Sequence, residues 1–425
     1  MARSPAMAAT EGIFPTFFLS GFECSSFLWG KDKVRRDLNA ELRHYQHADE
    51  DYAMLPPLGI AVAREGVPWP LVDKGDGRYD FSCIDPFLAA QRNHNILPIW
   101  DLCHYGYPDD LDPYSEAFIT RFAAYARAAA RHVARHAHHG PPCFTPVNEP
   151  TFWGYMGGEW GWCAPFGKTA DERRRFTTML ARADIAACKA IRADLPDARF
   201  VHIDPLVWVV PPRDRPDLAD EARRESYEDA YIAWDIISGL KHPEYGGSLG
   251  LIDILGFNNY SFGQMEYGGG GGPNTPLEPG DDRIRSVCDL LTEAWGKYRR
   301  PCIVAETSGL YGGRVDWLND ITCEALAAVN NGVELHGICL FPAVDMTDWH
   351  SGEWLHMGIA DVEELPSGAL MRTPFVPYVD ALHGWQKRLH RVTGLDADPY
   401  DKPVTLEEIR AVARALKPQP DEAFH

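Results

Sequence analysis

The stretch Thr145-Pro146-Val147-Asn148-Glu149-Pro150 ends a short apolar run with an Asn-Glu pair. A second run, Cys302-Ile303-Val304-Ala305, ends in the same way on Glu306. Near-continuous apolar runs of this length are typical of parallel strands that are buried on both faces. Each run therefore predicts a buried strand that carries a carboxylate at its C-terminal end.

Such runs recur along the chain and alternate with longer stretches of helical periodicity. The predicted strands are 17–22, 59–64, 96–102, 143–148, 199–203, 254–258, 302–306 and 337–341. The clearest helical stretches are 115–136, 171–192 and 316–330. Strands that alternate with helices predict a parallel α/β sheet with right-handed crossovers, and eight repeats predict that it closes into a (β/α)8 TIM barrel.

The chain length of 425 residues fits one barrel with insertions. We predict a single domain over 1–425, with the barrel core at about 14–361 and C-terminal helices at 375–417. A Gly-rich stretch at 268–272 lacks the spacing of a phosphate-binding loop, so we expect a surface loop near the barrel mouth.

Charge and composition exclude several classes of partner. The net charge of −20 argues against binding to nucleic acid or to an anionic membrane surface. Residues 1–10 lack the apolar region of a signal peptide, and no run is long and apolar enough to span a bilayer, so we expect a cytoplasmic protein. The ten cysteines form no CxxC pair and are expected to be buried free thiols. His202 and Asp204 alone are too few to predict a metal site at the strand ends, so we expect no metal or cofactor.

The two glutamates are expected to face each other. In a (β/α)8 barrel the C-terminal ends of all strands meet at one face, where active sites lie. Glu149 follows the fourth predicted strand and Glu306 the seventh, and these strands lie nearly opposite each other in a closed barrel. Cleavage of a glycosidic bond needs an acid for the leaving oxygen and an anion or nucleophile at the anomeric carbon. The pair can supply both.

Neighbouring residues are predicted to give the two glutamates different environments. Arg64 ends the second predicted strand and can pair with Glu306, and Tyr260 lies just past the sixth strand, where its hydroxyl can reach the same carboxylate. Trp153 follows Glu149 closely and can help to keep it in a less polar setting.

The motifs at successive strand ends resemble those of glycoside hydrolase family 1, the β-glucosidase and β-galactosidase family of the large retaining clan (clan A) built on this barrel. The matching segments are 14–15, 18–21, 59–64, 97–104, Asn148-Glu149-Pro150, 253–260, Ala305-Glu306-Thr307 and 341–349. The resemblance implies that Glu149 is the acid/base and Glu306 the nucleophile. It also implies that the partner is a small-molecule β-glycoside or an oligosaccharide.

The same resemblance implies a set of sugar contacts. Asn148 would bind the 2-hydroxyl, His104 another ring hydroxyl, and Asp348 the outer hydroxyls. Trp349 would form an apolar platform under the ring. The predicted sugar-binding set is completed by Glu23, Asn258 and Trp153.

The sequence departs from the family where the sugar is held. Tyr105 stands in place of a Trp, Asp348 in place of a Glu, and Leu28 falls near the position of a first-strand Gln. We therefore expect a retaining β-glycoside hydrolase, a β-glucosidase-like exo-glycosidase that acts by double displacement with the two glutamates, in which the residues that hold the sugar have changed. The alternatives are a transglycosylase that acts on an unusual β-glycoside, and a carbohydrate-binding or regulatory barrel without turnover.

Overall fold

A closed barrel of eight parallel strands forms the centre of the molecule. The computed structural model describes residues 12–269, 272–393 and 404–416. The barrel strands are β1 (Phe18–Gly21), β2 (Val62–Gly66), β3 (Leu97–Asp101), β4 (Cys143–Thr145), β5 (Arg199–Pro205), β6 (Ile254–Asn258), β7 (Cys302–Thr307) and β8 (Leu335–Leu340). Each pairs with its neighbour in chain order, and β8 pairs with β1. The predicted (β/α)8 barrel is confirmed.

Helices cover the outside of the barrel. The main ones are α1 (His44–Ala53), α2 (Asp85–Asn93), α3 (Glu116–Ala134), α4 (Ala170–Arg192), α5 (Ile232–Ile237), α6 (Val287–Tyr298), α7 (Arg314–Asn330), α8 (Val376–Thr393) and α9 (Leu406–Ala415). Further helical segments in the loops are Leu38–Glu41, Trp69–Val72, Pro150–Trp153 and Ala219–Arg224. The three clearest predicted helices correspond to α3, α4 and α7. Among the described residues, no helix combines the length and apolar character that a membrane crossing requires.

The loops contain several small antiparallel and mixed β-sheets. A hairpin pairs Ala360–Glu364 with Leu370–Pro374 between β8 and α8, where the sequence indicated no strand. The other short strands are Leu28–Trp29, Val34–Arg35, Trp208–Val210, Gln264–Glu266, Thr275–Pro276, Met346–Thr347 and Trp354–Leu355. Residues 1–10, residues 270–271 of the Gly-rich loop, and residues 394–403 and 417 of the predicted C-terminal helices lie outside the described residues. The assignment of 1–425 to one domain stays a prediction.

Capping side chains set where the two longest crossover helices begin. Ser115 accepts a hydrogen bond from the Phe118 amide at the start of α3. Thr169 does the same for the Glu172 amide at the start of α4. A hydroxyl at this position satisfies an amide that has no partner within the helix. These caps fix where the chain turns from the barrel mouth back along the outside.

The barrel interior is filled by one side of each strand. Its apolar cluster is separate from the larger core between strands and helices, and contains Leu19, Val62, Ile99, Val201, Ile254 and Ile303. Side chains alternate between the two faces of a strand, so residues two positions further along also point inward. We call this apolar cluster the plug. Beyond it, at the C-terminal ends of the strands, the inward-facing residues are polar.

Truncation inside this plug is expected to be costly. Ile303 is fully buried in the barrel interior. We expect Ile303→Ala to lower the free energy of unfolding by about 2–5 kcal/mol, because it leaves a cavity among residues that cannot close around it. Urea unfolding followed by tryptophan fluorescence measures this. Ile284→Ala is the matched control, since Ile284 is 41% exposed, and it should change stability by less than about 1 kcal/mol. Equal losses in the two variants would contradict the role of the plug.

Candidate active site

A cavity of about 320 Å³ opens at the C-terminal ends of the barrel strands. Eight of the predicted site residues line it, namely Glu23, His104, Glu149, Asn258, Tyr260, Glu306, Asp348 and Trp349. Both glutamates are buried but reach this one cavity. The structure therefore brings together the two carboxylates that the sequence places on different strands.

Glu306 lies between a cation and a phenol. Arg64 Nη1 donates to its Oε1 at 2.6 Å, and the Tyr260 hydroxyl donates to its Oε2 at 2.8 Å. The pairing of β6 with β7 shifts register between Val304 and Glu306. Such a bulge re-aims the next side chain, so Glu306 faces the cavity although Ile303 also points inward. Both oxygens of Glu306 thus have a donor, as the sequence predicted.

Arg64 forms the floor beneath the cavity. Its guanidinium is fully buried. In addition to Glu306, its Nη2 donates to Asp101 Oδ2 at 2.6 Å and to Asn148 Oδ1 at 2.8 Å. Burial raises the pKa of Asp101, but the charges and hydrogen bonds of Arg64 and His104 together outweigh burial, and the pKa of Asp101 is lowered. A single cation therefore connects the ends of β2, β3, β4 and β7.

Glu149 has a strained backbone that the barrel holds in place. Its φ is 45°, in the left-handed region that residues other than glycine rarely adopt. Its amide donates to the Ile203 carbonyl of β5 at 3.0 Å, and the helix Pro150–Trp153 begins directly after it. These contacts force the chain to turn here and aim the carboxylate into the cavity.

The carboxylate of Glu149 has neutral donors and no bonded cation among the described residues. Asn258 Nδ2 donates to Oε1 at 2.7 Å, and the Tyr105 hydroxyl donates to Oε2. Burial and the negative charge of Glu306 raise the pKa of Glu149 to about 7. This group can therefore hold a proton near neutral pH, whereas Glu306 is paired with Arg64.

His104 belongs to the same polar network. Its Nδ1 lies 3.2 Å from Asp101 Oδ2 and 3.2 Å from Cys24 Sγ, and its Nε2 lies 3.2 Å from Asn148 Nδ2. Burial lowers the pKa of His104, but the charges of Glu23, Asp101 and Glu306 and the hydrogen bond with Asp101 together outweigh burial, and the pKa is raised. Cys24, Asp101 and His104 could together offer atoms to a metal. However, Arg64 occupies the same oxygen of Asp101, which disfavours a second cation.

Like His104 and Asn258, three further predicted sugar contacts have partners within the protein. Asp348 lines the cavity, but its Oδ1 accepts from the His350 and Ser351 amides at 3.0 and 2.7 Å and so caps its own turn. Glu23 accepts from the Ser25 amide at 2.9 Å. Asn148 lies below the cavity, with its Oδ1 bonded to Arg64. Each has part of its hydrogen-bonding capacity committed before a ligand arrives.

The two predicted tryptophans differ in position. Trp349 lines the cavity, and its ring packs edge-on against Tyr105 with 5.7 Å between centroids. Trp153 does not line the cavity. It is fully buried behind Tyr105, and its indole N–H donates to the Ala164 carbonyl at 3.2 Å. The structure therefore corrects the expectation that Trp153 contacts a sugar, because this residue is fully buried and is not part of the cavity lining.

Two residues at the site were not predicted. Asp101 ends β3 and binds Arg64, and Tyr105 binds Glu149. Both flank His104 in sequence, so their position at a strand end was a usable signal. The direction of Tyr105 was not predictable, because it depends on a left-handed backbone with φ of 65°.

Comparison with known proteins agrees with this architecture. The sequence matches no known protein-family model. The structure is similar to a family 1 β-glucosidase from Thermotoga maritima, with a TM-score of 0.70 and 16% identity over 88% of this chain and 99% of that chain. It is also similar to the β-glycosidase BGL167, with a TM-score of 0.65 and 21% identity over 82% of this chain and 87% of that one. The chain has the fold of these enzymes.

A third solved structure holds a sugar-like inhibitor. It is a β-glucosidase from Thermotoga maritima in complex with glucoimidazole, with a TM-score of 0.71 and 16% identity over 89% of this chain and 99% of that one. The predicted resemblance to family 1 is thus confirmed at the level of the fold. The roles of individual residues must be argued from the site itself.

The environment of Glu149 predicts a pH-dependent cost to stability. Its pKa is raised from 4.5 to about 7, so its contribution to stability is fully present below pH 4.5 and is lost as the pH rises towards 7. We expect Glu149→Gln, which cannot ionise, to gain stability relative to the wild type over that interval, by up to about 3 kcal/mol. Urea unfolding of both proteins between pH 4.5 and 8 measures the difference. A constant difference across this range would contradict the raised pKa.

Proposed function

We propose that the protein hydrolyses β-glycosides with retention of configuration. The observation that carries the proposal is the opposite environment of two glutamates on one cavity. Glu306 is bonded to Arg64 and Tyr260, whereas Glu149 is buried with a pKa of about 7. A nucleophile must be a carboxylate and an acid must hold a proton, so this asymmetry matches the division of labour in double displacement. The fold shared with β-glucosidases supports the same reaction.

In the first step Glu306 attacks the anomeric carbon. A bond forms between its carboxylate oxygen and that carbon, and the bond from the carbon to the leaving oxygen breaks. Glu149 gives its proton to the leaving oxygen, so the aglycone departs as a neutral alcohol or phenol. The product on the enzyme is a glycosyl ester of Glu306.

In the second step Glu149 acts as a base. Forming the ester removes the negative charge of Glu306, which is one cause of the raised pKa of Glu149. The pKa of Glu149 therefore falls in the step in which Glu149 must be ionised to act as a base. It takes a proton from water, the water oxygen bonds to the anomeric carbon, and Glu306 is released.

Azide separates the two roles. We expect Glu306→Ala to lose essentially all turnover of an activated aryl β-glycoside, and added azide to restore it by direct attack, giving the α-glycosyl azide. In Glu149→Ala, azide should attack the ester of Glu306 and give the β-glycosyl azide. Proton NMR of the azide products distinguishes the two anomers.

The controls for this experiment also test the alternatives. A transglycosylase would pass the sugar to an added alcohol in preference to water. A carbohydrate-binding barrel would give no turnover in the wild type. Wild-type activity retained in Glu306→Ala, with no azide product, would remove Glu306 from its proposed role.

Tyr105 is proposed to tune the acid. Its hydroxyl donates to Glu149, and burial raises the pKa of Tyr105 well above 10, so it stays a donor. Tyr105→Phe removes a hydrogen bond that favours the charged form of Glu149. We expect the alkaline limb of kcat/KM to move up by roughly one pH unit, because the pKa of Glu149 rises. We also expect hydrolysis of the ester to slow at pH values below the raised pKa, because a smaller fraction of Glu149 is then ionised and able to act as the base.

The pH dependence of kcat/KM and of kcat with an aryl β-glycoside measures both effects. Tyr107→Phe is the matched control, since Tyr107 is a nearby buried tyrosine for which no hydrogen bond to Glu149 is found among the described residues. An alkaline limb that stays in place in Tyr105→Phe, or that moves equally in the control, would show that Tyr105 does not act through Glu149.

A further inference from the structure

A smaller cavity of about 80 Å³ adjoins the active-site cavity. Phe152, Pro205, Val207 and Met265 line both cavities, so they form the boundary between them. Beyond this boundary the smaller cavity is lined by Tyr155, Trp160, Glu225 and Asn274, among others. We call it the side chamber.

The side chamber lies on the acid side of the active site. Phe152 belongs to the helix Pro150–Trp153, which begins directly after Glu149. If Glu149 protonates the leaving oxygen, as the proposed function requires, then the leaving group lies next to Glu149. The boundary residues, and the side chamber beyond them, are therefore the surfaces that the aglycone meets.

Three aromatic rings, those of Phe152, Tyr155 and Trp160, line the side chamber. The rings of Phe152 and Trp160 meet edge to face, with 6.3 Å between centroids, and those of Tyr155 and Trp160 lie 5.3 Å apart. Val207 and Met265 add apolar surface at the boundary. Walls of this kind favour a planar aromatic ligand, because ring contacts add to the free energy of burial.

One carboxyl group interrupts this apolar lining. Glu225 Oε2 accepts a hydrogen bond from Asn274 Nδ2 at 2.7 Å. The neighbouring cation Arg173 is bonded to other carboxylates, at 2.6 Å to Glu159 and 2.8 Å to Asp229. Burial raises the pKa of Glu225. A carboxyl group in such surroundings gains from a further hydrogen-bond donor.

We propose that the side chamber binds the aglycone of the substrate, and that this aglycone is a planar aromatic group with a hydrogen-bond-donating substituent that Glu225 accepts. A second sugar as aglycone is disfavoured, because its several hydroxyls need more polar partners than these walls offer. Apart from the phenol of Tyr155, the chamber has the hydroxyl of Thr151, which already donates to Asp204 at 2.6 Å. The inference rests on the proposed function for its orientation, and it adds a substrate class.

Hydrolysis of matched substrates tests the inference. The probes are β-glycosides of one sugar with 4-hydroxyphenyl or 4-methoxyphenyl, and with 6-hydroxy-2-naphthyl or 6-methoxy-2-naphthyl, as the aglycone. The two members of a pair are similar leaving groups, but only the hydroxyl member has an O–H donor. The phenyl and naphthyl pairs place this donor at two different depths in the side chamber. We expect kcat/KM of the hydroxyl member to be higher by roughly tenfold in at least one pair, the size of one hydrogen bond.

Two variants locate the effect. Glu225→Leu should reduce the preference to about one, whereas Glu228→Leu should keep it, since Glu228 is exposed on the same turn of the chain. Wild-type enzyme that turns over both members of both pairs equally would overturn the inference. A preference that Glu225→Leu leaves unchanged would also overturn it.

A binding measurement separates this inference from the proposed function. Calorimetry of 2,6-dihydroxynaphthalene with Glu306→Gln needs no turnover. We expect binding that Trp160→Ala and Glu225→Leu, each added to Glu306→Gln, weaken by roughly tenfold. If the naphthalene binds but no glycoside is hydrolysed, the proposed function is contradicted and the aromatic binding site is supported. If glycosides are hydrolysed but the naphthalene does not bind, only the proposed binding site is contradicted.

Discussion

The buried positive charge of Arg64 is the constraint on which the site depends. Its guanidinium is buried, and its two terminal nitrogens donate to Glu306, Asp101 and Asn148. Removing one partner from a buried charge typically costs about 3–5 kcal/mol, so each partner is held firmly in place. The groups lie at the ends of four different strands, and a closed barrel brings those ends together. The charge therefore ties the geometry of the candidate site to the integrity of the fold.

The two glutamates have different environments because Arg64 pairs with Glu306 and not with Glu149. Glu306 receives the Arg64 ion pair, whereas Glu149 receives hydrogen bonds from the neutral donors Tyr105 and Asn258. Burial acts on Glu149 without a bonded cation to offset it, and the anion across the cavity adds to the effect. Acid and nucleophile can thus be made from the same amino acid by the placement of one arginine.

The barrel and the contacts of Glu306 could be predicted from the sequence, whereas the contacts of Glu149 could not. Periodicity predicted the strands, and position at a strand end predicted the contacts of Arg64 and Tyr260 with Glu306, because parallel strands bring those ends together. The contacts of Glu149 were not predicted, since they depend on a left-handed turn at Tyr105 and on the same conformation at Glu149 itself. A family motif predicts which residue stands at a position. It does not show that the side chain is already hydrogen-bonded within the protein, as that of Asp348 is to the Ser351 amide.

Trapping of the glycosyl ester tests the central claim most directly. A 2-deoxy-2-fluoro β-glycoside with a dinitrophenolate leaving group slows the second step more than the first, so the ester should accumulate. Mass spectrometry should then show one added fluorosugar per chain, on a peptide that contains Glu306, with release of one equivalent of dinitrophenolate. Labelling at another residue, or steady hydrolysis without a labelled protein across gluco- and galacto-configured reagents, would contradict the assignment of Glu306 as the nucleophile.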